Sequence, residues 1–162
     1  MKIFASTAIA VLFAATMAAA HEYKKGDLVI DHPMAFATAQ TAQTAGGFMM
    51  ITNNGAADDR LVAVEADFPR VEIHTTEMDG DIARMIKLEE GIVVPAGTAV
   101  ILQPGGLHVM FMGLGGDPFE VGEKVPATLM FENAGALAVT FDVEDRVIGG
   151  HGAMDHSSHD QD

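Results

Sequence analysis

The stretch LHVMFMGL, residues 107–114, sets one imidazole and two thioethers at alternate positions. Read at the two-residue period of a strand, His108, Met110 and Met112 share one face, while Leu107, Val109 and Phe111 share the other. The second face is ordinary core. The first collects groups that bind soft metal ions, although methionine is also a common gap-filler in cores. Two further segments supply matching donors. In VEIHTTEM, Val71 and Ile73 turn inward and His74 falls opposite them with Glu72. In IARMIKLE, Ile82, Ile86 and Leu88 share a face and Met85 lies on the other with Lys87. The intervening MDGD predicts a hairpin, which brings His74 and Met85 close if the register sets them side by side. With His108 and Met110 they make two imidazoles and two thioethers, a set suited to Cu(I).

Other donors lie elsewhere in the chain. After Gly149-Gly150 the sequence turns to HGAMDHSSHDQD, too polar for a core of its own and expected to be a flexible tail over residues 149–162. Its His151, Met154, His156 and His159, with Asp155, offer nitrogen and oxygen ligands to Cu(II); the blander reading is a solvated acidic tail. His21 becomes a new N-terminus if the leader is removed, and its α-amine and imidazole then form a small chelate for Cu(II). His32, ahead of Pro33 in an apolar strand, reads as a hydrogen-bonded structural histidine. Met49 and Met50 cannot face the same side, so at least one belongs to the core. Met78, beside the hairpin turn, is a spare thioether, and Met112 extends the ligand face.

The elements that must position these donors are short β segments. DLVIDHPMAF, GGFMMITNN, DRLVAVEAD, VEIHTTEM, IARMIKLE, AVILQPGG, LHVMFMGL, KVPATLMFEN and LAVTFDVED are separated by turn-forming NNGAAD, MDGD, PAG, PGG, GLGGDP and NAG. No stretch sustains a long 3.6-residue apolar period, and no internal repeat or linker interrupts the series. The expectation is an all-β sandwich or Greek-key barrel in a single domain over residues 21–148. Residues 1–20, MKIFASTAIAVLFAATMAAA, have a basic start, an apolar run and small residues before His21, the layout of a secretory signal peptide cleaved after Ala20. No later segment is apolar for long enough to span a membrane.

Composition narrows the chemistry. The chain of 162 residues carries a formal net charge of −14, which disfavours nucleic acid and anionic membranes as partners. It contains no cysteine. That excludes disulfides, thiol catalysis and a thiolate-ligated blue-copper centre. No motif for a nucleophile, a phosphate loop or a general acid and base pair is present, so an enzyme is not expected.

His74, ten residues, Met85, twenty-two residues, then His108-Val109-Met110 is similar to the signature of the PCu(A)C family of periplasmic copper chaperones, whose long gap is usually one residue shorter. The resemblance extends through HEYKKGDLVIDHPMAFAT, AGGFMMITNNG, DRLVAVEAD, VEIHTTEMDG, VPAGTAVILQPGGLHVMFMGL and VTFDVED. It departs at Met34 and Phe36, where relatives often carry tryptophan and arginine. The resemblance implies a cupredoxin-like β fold, a periplasmic location, and delivery of Cu(I) to an acceptor, either another copper chaperone or the dinuclear copper centre of a respiratory oxidase. It also makes Cu(II) capture by the tail plausible. The alternative is buffering or storage of copper without dedicated delivery; in either case the protein is expected to act as a monomer.

Overall fold

A computed structural model describes residues 22–146. The expected leader, His21 and the tail donors His151, Met154, His156 and His159 fall outside the described residues. Within them the chain forms eleven strands: β1 (Glu22–Lys25), β2 (Leu28–Phe36), β3 (Thr44–Asn53), β4 (Asp59–Ala66), β5 (Arg70–Asp79), β6 (Ile82–Lys87), β7 (Ile92–Val94), β8 (Ala99–Leu102), β9 (His108–Met112), β10 (Lys124–Phe131) and β11 (Gly135–Glu144). All nine expected segments contribute a strand. β1 and β7 are additional: EYKK is too polar, and IVV too short, to register as a period-2 signal. No helix among the described residues is long and apolar enough to cross a membrane.

The strands form one sheet in the order β6-β5-β9-β3-β2-β11-β10-β4-β7, with β1 added to β2 and β8 to β3. All pairs are antiparallel except β11 with β2. The sheet curls on itself, because inward-facing residues of both wings meet in one core. Ile73, Val109 and Phe111 from one wing join Leu61, Val64 and Leu129 from the other. The all-β architecture is the one the strand pattern predicts, and it is consistent with the cupredoxin-like fold that the family resemblance implies. Alternation is clean in β10 and β11, where Val125, Ala127, Leu129, Phe131, Val139, Phe141 and Val143 are buried at every second position. Phe111 sits at the centre, with ring centroids 5.3–5.7 Å from those of Phe68, Phe119 and Phe141.

Two polar residues fix the loops at one end of the sheet. Asp59 is buried, and its carboxylate accepts hydrogen bonds from the backbone N–H groups of Arg60, Asn133 and Ala134 at 2.7–2.9 Å. Asn53 donates from Nδ2 to the carbonyls of Ala57 and Val94. Removing the Asp59 carboxylate leaves its backbone donors without that acceptor, so Asp59→Ala is expected to destabilise the fold by about 3 kcal/mol, read as a lower urea midpoint at unchanged slope.

At Pro33 the β2–β3 register shifts between Asp31 and Met34, since proline has no N–H to give the ladder. His32 takes up the irregularity with φ +48°, and its Nε2 lies 3.0 Å from Glu144 Oε1 on the surface. It is a surface partner of Glu144 at a bulge in β2, and it takes no part in the cluster described next.

Candidate metal centre

β5 and β9 are adjacent antiparallel strands whose register makes His74 the direct partner of His108, Glu72 that of Met110, and Arg70 that of Met112. Period-2 alternation thus sets both imidazoles on the face opposite Ile73, Val109 and Phe111. The two rings have centroids 5.7 Å apart, and both residues are buried, His74 to 7% and His108 to 5% relative exposure.

The hydrogen bonds decide which ring nitrogens are bare. His108 Nδ1 lies 3.0 Å from the carbonyl oxygen of Gly106, which can only accept, so Nδ1 carries the proton. His74 Nε2 lies 2.9 Å from Glu72 Oε2, and an ionised carboxylate is likewise acceptor-only. The neutral rings therefore present His74 Nδ1 and His108 Nε2 as lone pairs. These two atoms are the buried side-chain nitrogens or oxygens that lack a hydrogen-bond partner among the described residues. An unpaired buried polar atom is costly unless something else satisfies it, and a metal ion on two imidazole nitrogens would do so.

The thioethers lie close by. Met85, His108 and Met110 line one cavity of about 270 Å³ together with Thr76, Phe36, Phe48 and Arg146. Gly46 pairs with Met110 across the β3–β9 ladder, and its missing side chain leaves the cavity open; a Cβ there would stand 2.9 Å from Phe48 Cζ. Met85 does not stand beside His74. The β5–β6 register sets it opposite Thr76, two pairs nearer the turn, with Lys87 opposite His74. The turn accounts for this register: Asp79 pairs with Ile82, so two residues close it, and Gly80 at the first of them has the positive φ of +64° that a type II′ turn requires. Across a hairpin, diagonal neighbours remain within reach of long side chains.

Glu72, which the strand alternation sets on the face of His74, is the partner that orients it. On a strand, residues i and i+2 share a face, and that is enough for contact. Donation from His74 holds the Glu72 carboxyl below its ordinary range against a smaller opposing effect of burial, helped by Arg70 at 3.8 Å and Lys87 at 3.7 Å. A lowered carboxyl pKa stabilises the fold above the ordinary carboxylate range, and that contribution is lost as pH falls through the lowered value.

The remaining methionines divide as their strands dictate. Met49 is core, while Met50 is exposed on the outer face. Met112 shares the ligand face but lies at its far end, where its sulfur is 3.2 Å from Arg70 Nε. A wider groove of about 730 Å³, lined by residues that include Tyr23, Glu65 and Asp67, contains neither histidine nor methionine. The rim formed by Phe36, Phe48 and Arg146 had no sequence signal, because it joins β2, β3 and the end of β11. Phe36 and Phe48 are 5.6 Å apart, and the Arg146 guanidinium lies 5.2 Å above the Phe36 ring. Among the described residues no group of three or more His, Cys, Asp or Glu side chains is placed to hold a metal ion.

This all-β domain has counterparts among solved structures. The apo PCuAC domain from PmoF1 matches with a TM-score of 0.65 at 29% identity, covering 77% of this chain and 99% of that one. The copper-bound PCuAC domain from PmoF2 gives 0.61 at 30% identity, covering 77% and 98%. The CuI form of DR1885 from Deinococcus radiodurans gives 0.58 at 25% identity, covering 83% and 87%. The fold is thus that of the PCuAC domains. The chain belongs to the LpqE-like family, described as "Putative lipoprotein LpqE-like", whose model matches residues 28–143. A relative in Leifsonia xyli subsp. xyli (strain CTCB07), named "Putative lipoprotein Lxx21020", is 30% identical over 112 residues, covering 68% of this chain and 67% of its own.

Proposed function

We propose that this protein is an exported, periplasmic copper chaperone that holds Cu(I) through His74, Met85, His108 and Met110 and passes it to a copper-site acceptor, such as the dinuclear copper centre of a respiratory oxidase. The observation that carries this reading is the pair of bare, buried nitrogens, His74 Nδ1 and His108 Nε2, on partner residues of which His108 lines a cavity shared with the thioethers of Met85 and Met110. Copper-bound forms of two similar domains support the choice of metal. Neutral imidazoles and thioethers add no ligand charge, and that set favours Cu(I) over Cu(II) and over hard cations. Met85 is 59% exposed, so an incoming acceptor can displace this ligand first while the buried imidazoles still hold the ion. The tail donors His151, Met154, His156 and His159, and His21, are proposed as secondary Cu(II) ligands.

Cu(I) titration of the mature protein against a competing chelator tests binding, and incubation of the loaded protein with an apo copper-site domain tests delivery. Transfer faster than spontaneous dissociation is expected; transfer at the dissociation rate indicates buffering instead. Loss of the partner that orients a metal-binding histidine typically weakens a site by about 10–100-fold. Glu72→Gln, which keeps an acceptor but removes the charge, is expected at the lower end of that range and Glu72→Ala at the upper, both read from the same competition.

A further inference from the structure

The β5–β6 hairpin carries two large thioethers into water. Residues 81–87 are exposed throughout, and Met78 and Met85 have relative exposures of 66% and 59%. Alternation sets Met78 on the same face as Thr76 and His74. Pairing of Met78 with Ala83 and of Thr76 with Met85 makes Met78 and Met85 diagonal neighbours on that face. Diagonal positions lie about 7–8 Å apart, with Cβ atoms somewhat closer, within reach of long flexible side chains. Burial opposes such placement, since each thioether side chain left in water forgoes its transfer free energy. The tip is also anionic, with Glu77, Asp79 and Asp81 exposed and Arg84 paired to Asp79 at 2.9 Å.

We propose that Met78 and Met85 form an outer thioether pair that takes up Cu(I) at the hairpin tip and hands it inward, Met85 serving as a ligand of both the outer pair and the cavity. The inference rests on the Cu(I) reading of the cavity given above. In the transfer the bond from Met85 to copper persists, the bond from Met78 breaks, and bonds to the Met110 sulfur, His108 Nε2 and His74 Nδ1 form. Copper stays Cu(I) throughout. No proton moves, because thioethers are neutral and His108 Nε2 is already bare. A shared ligand means the ion is never released to water between the two positions.

The test combines two measurements on the full mature chain. With methionine methyl groups labelled, Ag(I) serves as a redox-inert stand-in for Cu(I) in an NMR titration that also follows the histidine rings; the Met78 methyl is expected to shift together with that of Met85. Stopped-flow uptake of Cu(I) from a coloured chelator then compares wild type with Met78→Leu, a change of similar size at an exposed position. Uptake is expected to slow about tenfold while equilibrium affinity stays within about twofold, inside the range over which association rates of related complexes vary. An unmoved Met78 methyl, or an unchanged uptake rate, overturns the outer pair. So does a loss of equilibrium affinity as large as that of Met110→Leu, which would make Met78 a ligand of the cavity itself. If the His74 and His108 rings also fail to respond to Ag(I), the failure lies with the cavity and not with the hairpin tip.

Discussion

His108→Leu is expected to lower Cu(I) affinity by well over about a hundredfold, the upper cost of losing even an orienting partner, while leaving the apo fold within about 1 kcal/mol of wild type. The second half of this expectation follows from the hydrogen bonds around the ring. The Gly106 carbonyl that accepts from His108 Nδ1 also accepts from the backbone N–H of Thr76 at 3.1 Å, so it keeps a partner when the imidazole is gone. Removing His108 Nε2 relieves a buried nitrogen that has no hydrogen-bond partner among the described residues. Competition titration reads the first effect and urea unfolding the second. A drop in stability of more than about 3 kcal/mol with affinity retained would mark the imidazole as structural and remove the ligand assignment. Met110→Leu, a swap of similar volume, separates the same two effects at the thioether.

Phe111→Ala should act through the opposite face of the same strand. The ring is fully buried against Phe68, Phe119 and Phe141, and truncating a phenylalanine in such a core costs about 3–5 kcal/mol. Against a typical domain stability of about 5–15 kcal/mol that is a large fraction. β9 carries His108 and Met110 as well, so unfolding and loss of metal binding are linked. Cu(I) at a thousandfold excess over its Kd would restore about 4 kcal/mol of apparent stability. Unfolding curves recorded with and without Cu(I) should therefore separate further for Phe111→Ala combined with intact ligands than for the same change combined with His108→Leu.

How far the chain could be read without coordinates depended on whether a feature was local. Alternation is local, so the shared face of His108, Met110 and Met112, the inward Ile73 and a core place for one of Met49 and Met50 all followed from period 2. Register and strand order are not local. The pairing of His74 with His108 joins residues thirty-four positions apart, and nothing in either segment specifies that β9 rather than another strand lies beside β5. The position of Met85 opposite Thr76 depends on a two-residue closure at Gly80-Asp81 that composition alone leaves open. Glu72 was visible as a neighbour on the face of His74, yet only the side-chain geometry shows the 2.9 Å contact that selects the bare nitrogen. The rim of Phe36, Phe48 and Arg146 brings together segments more than a hundred residues apart, where no pattern can reach.

Strand β11 lies in the interior of the sheet, hydrogen-bonded to β2 on one side and β10 on the other, although it is the last of the described strands. A growing chain that has not yet produced Gly135–Glu144 can form local hairpins such as β5–β6, but both β2 and β10 then present open edges. Closure of the sheet therefore waits for β11. The face that carries His74 and His108 gains the support of the opposite wing only when Gly135–Glu144 has joined β2 to β10.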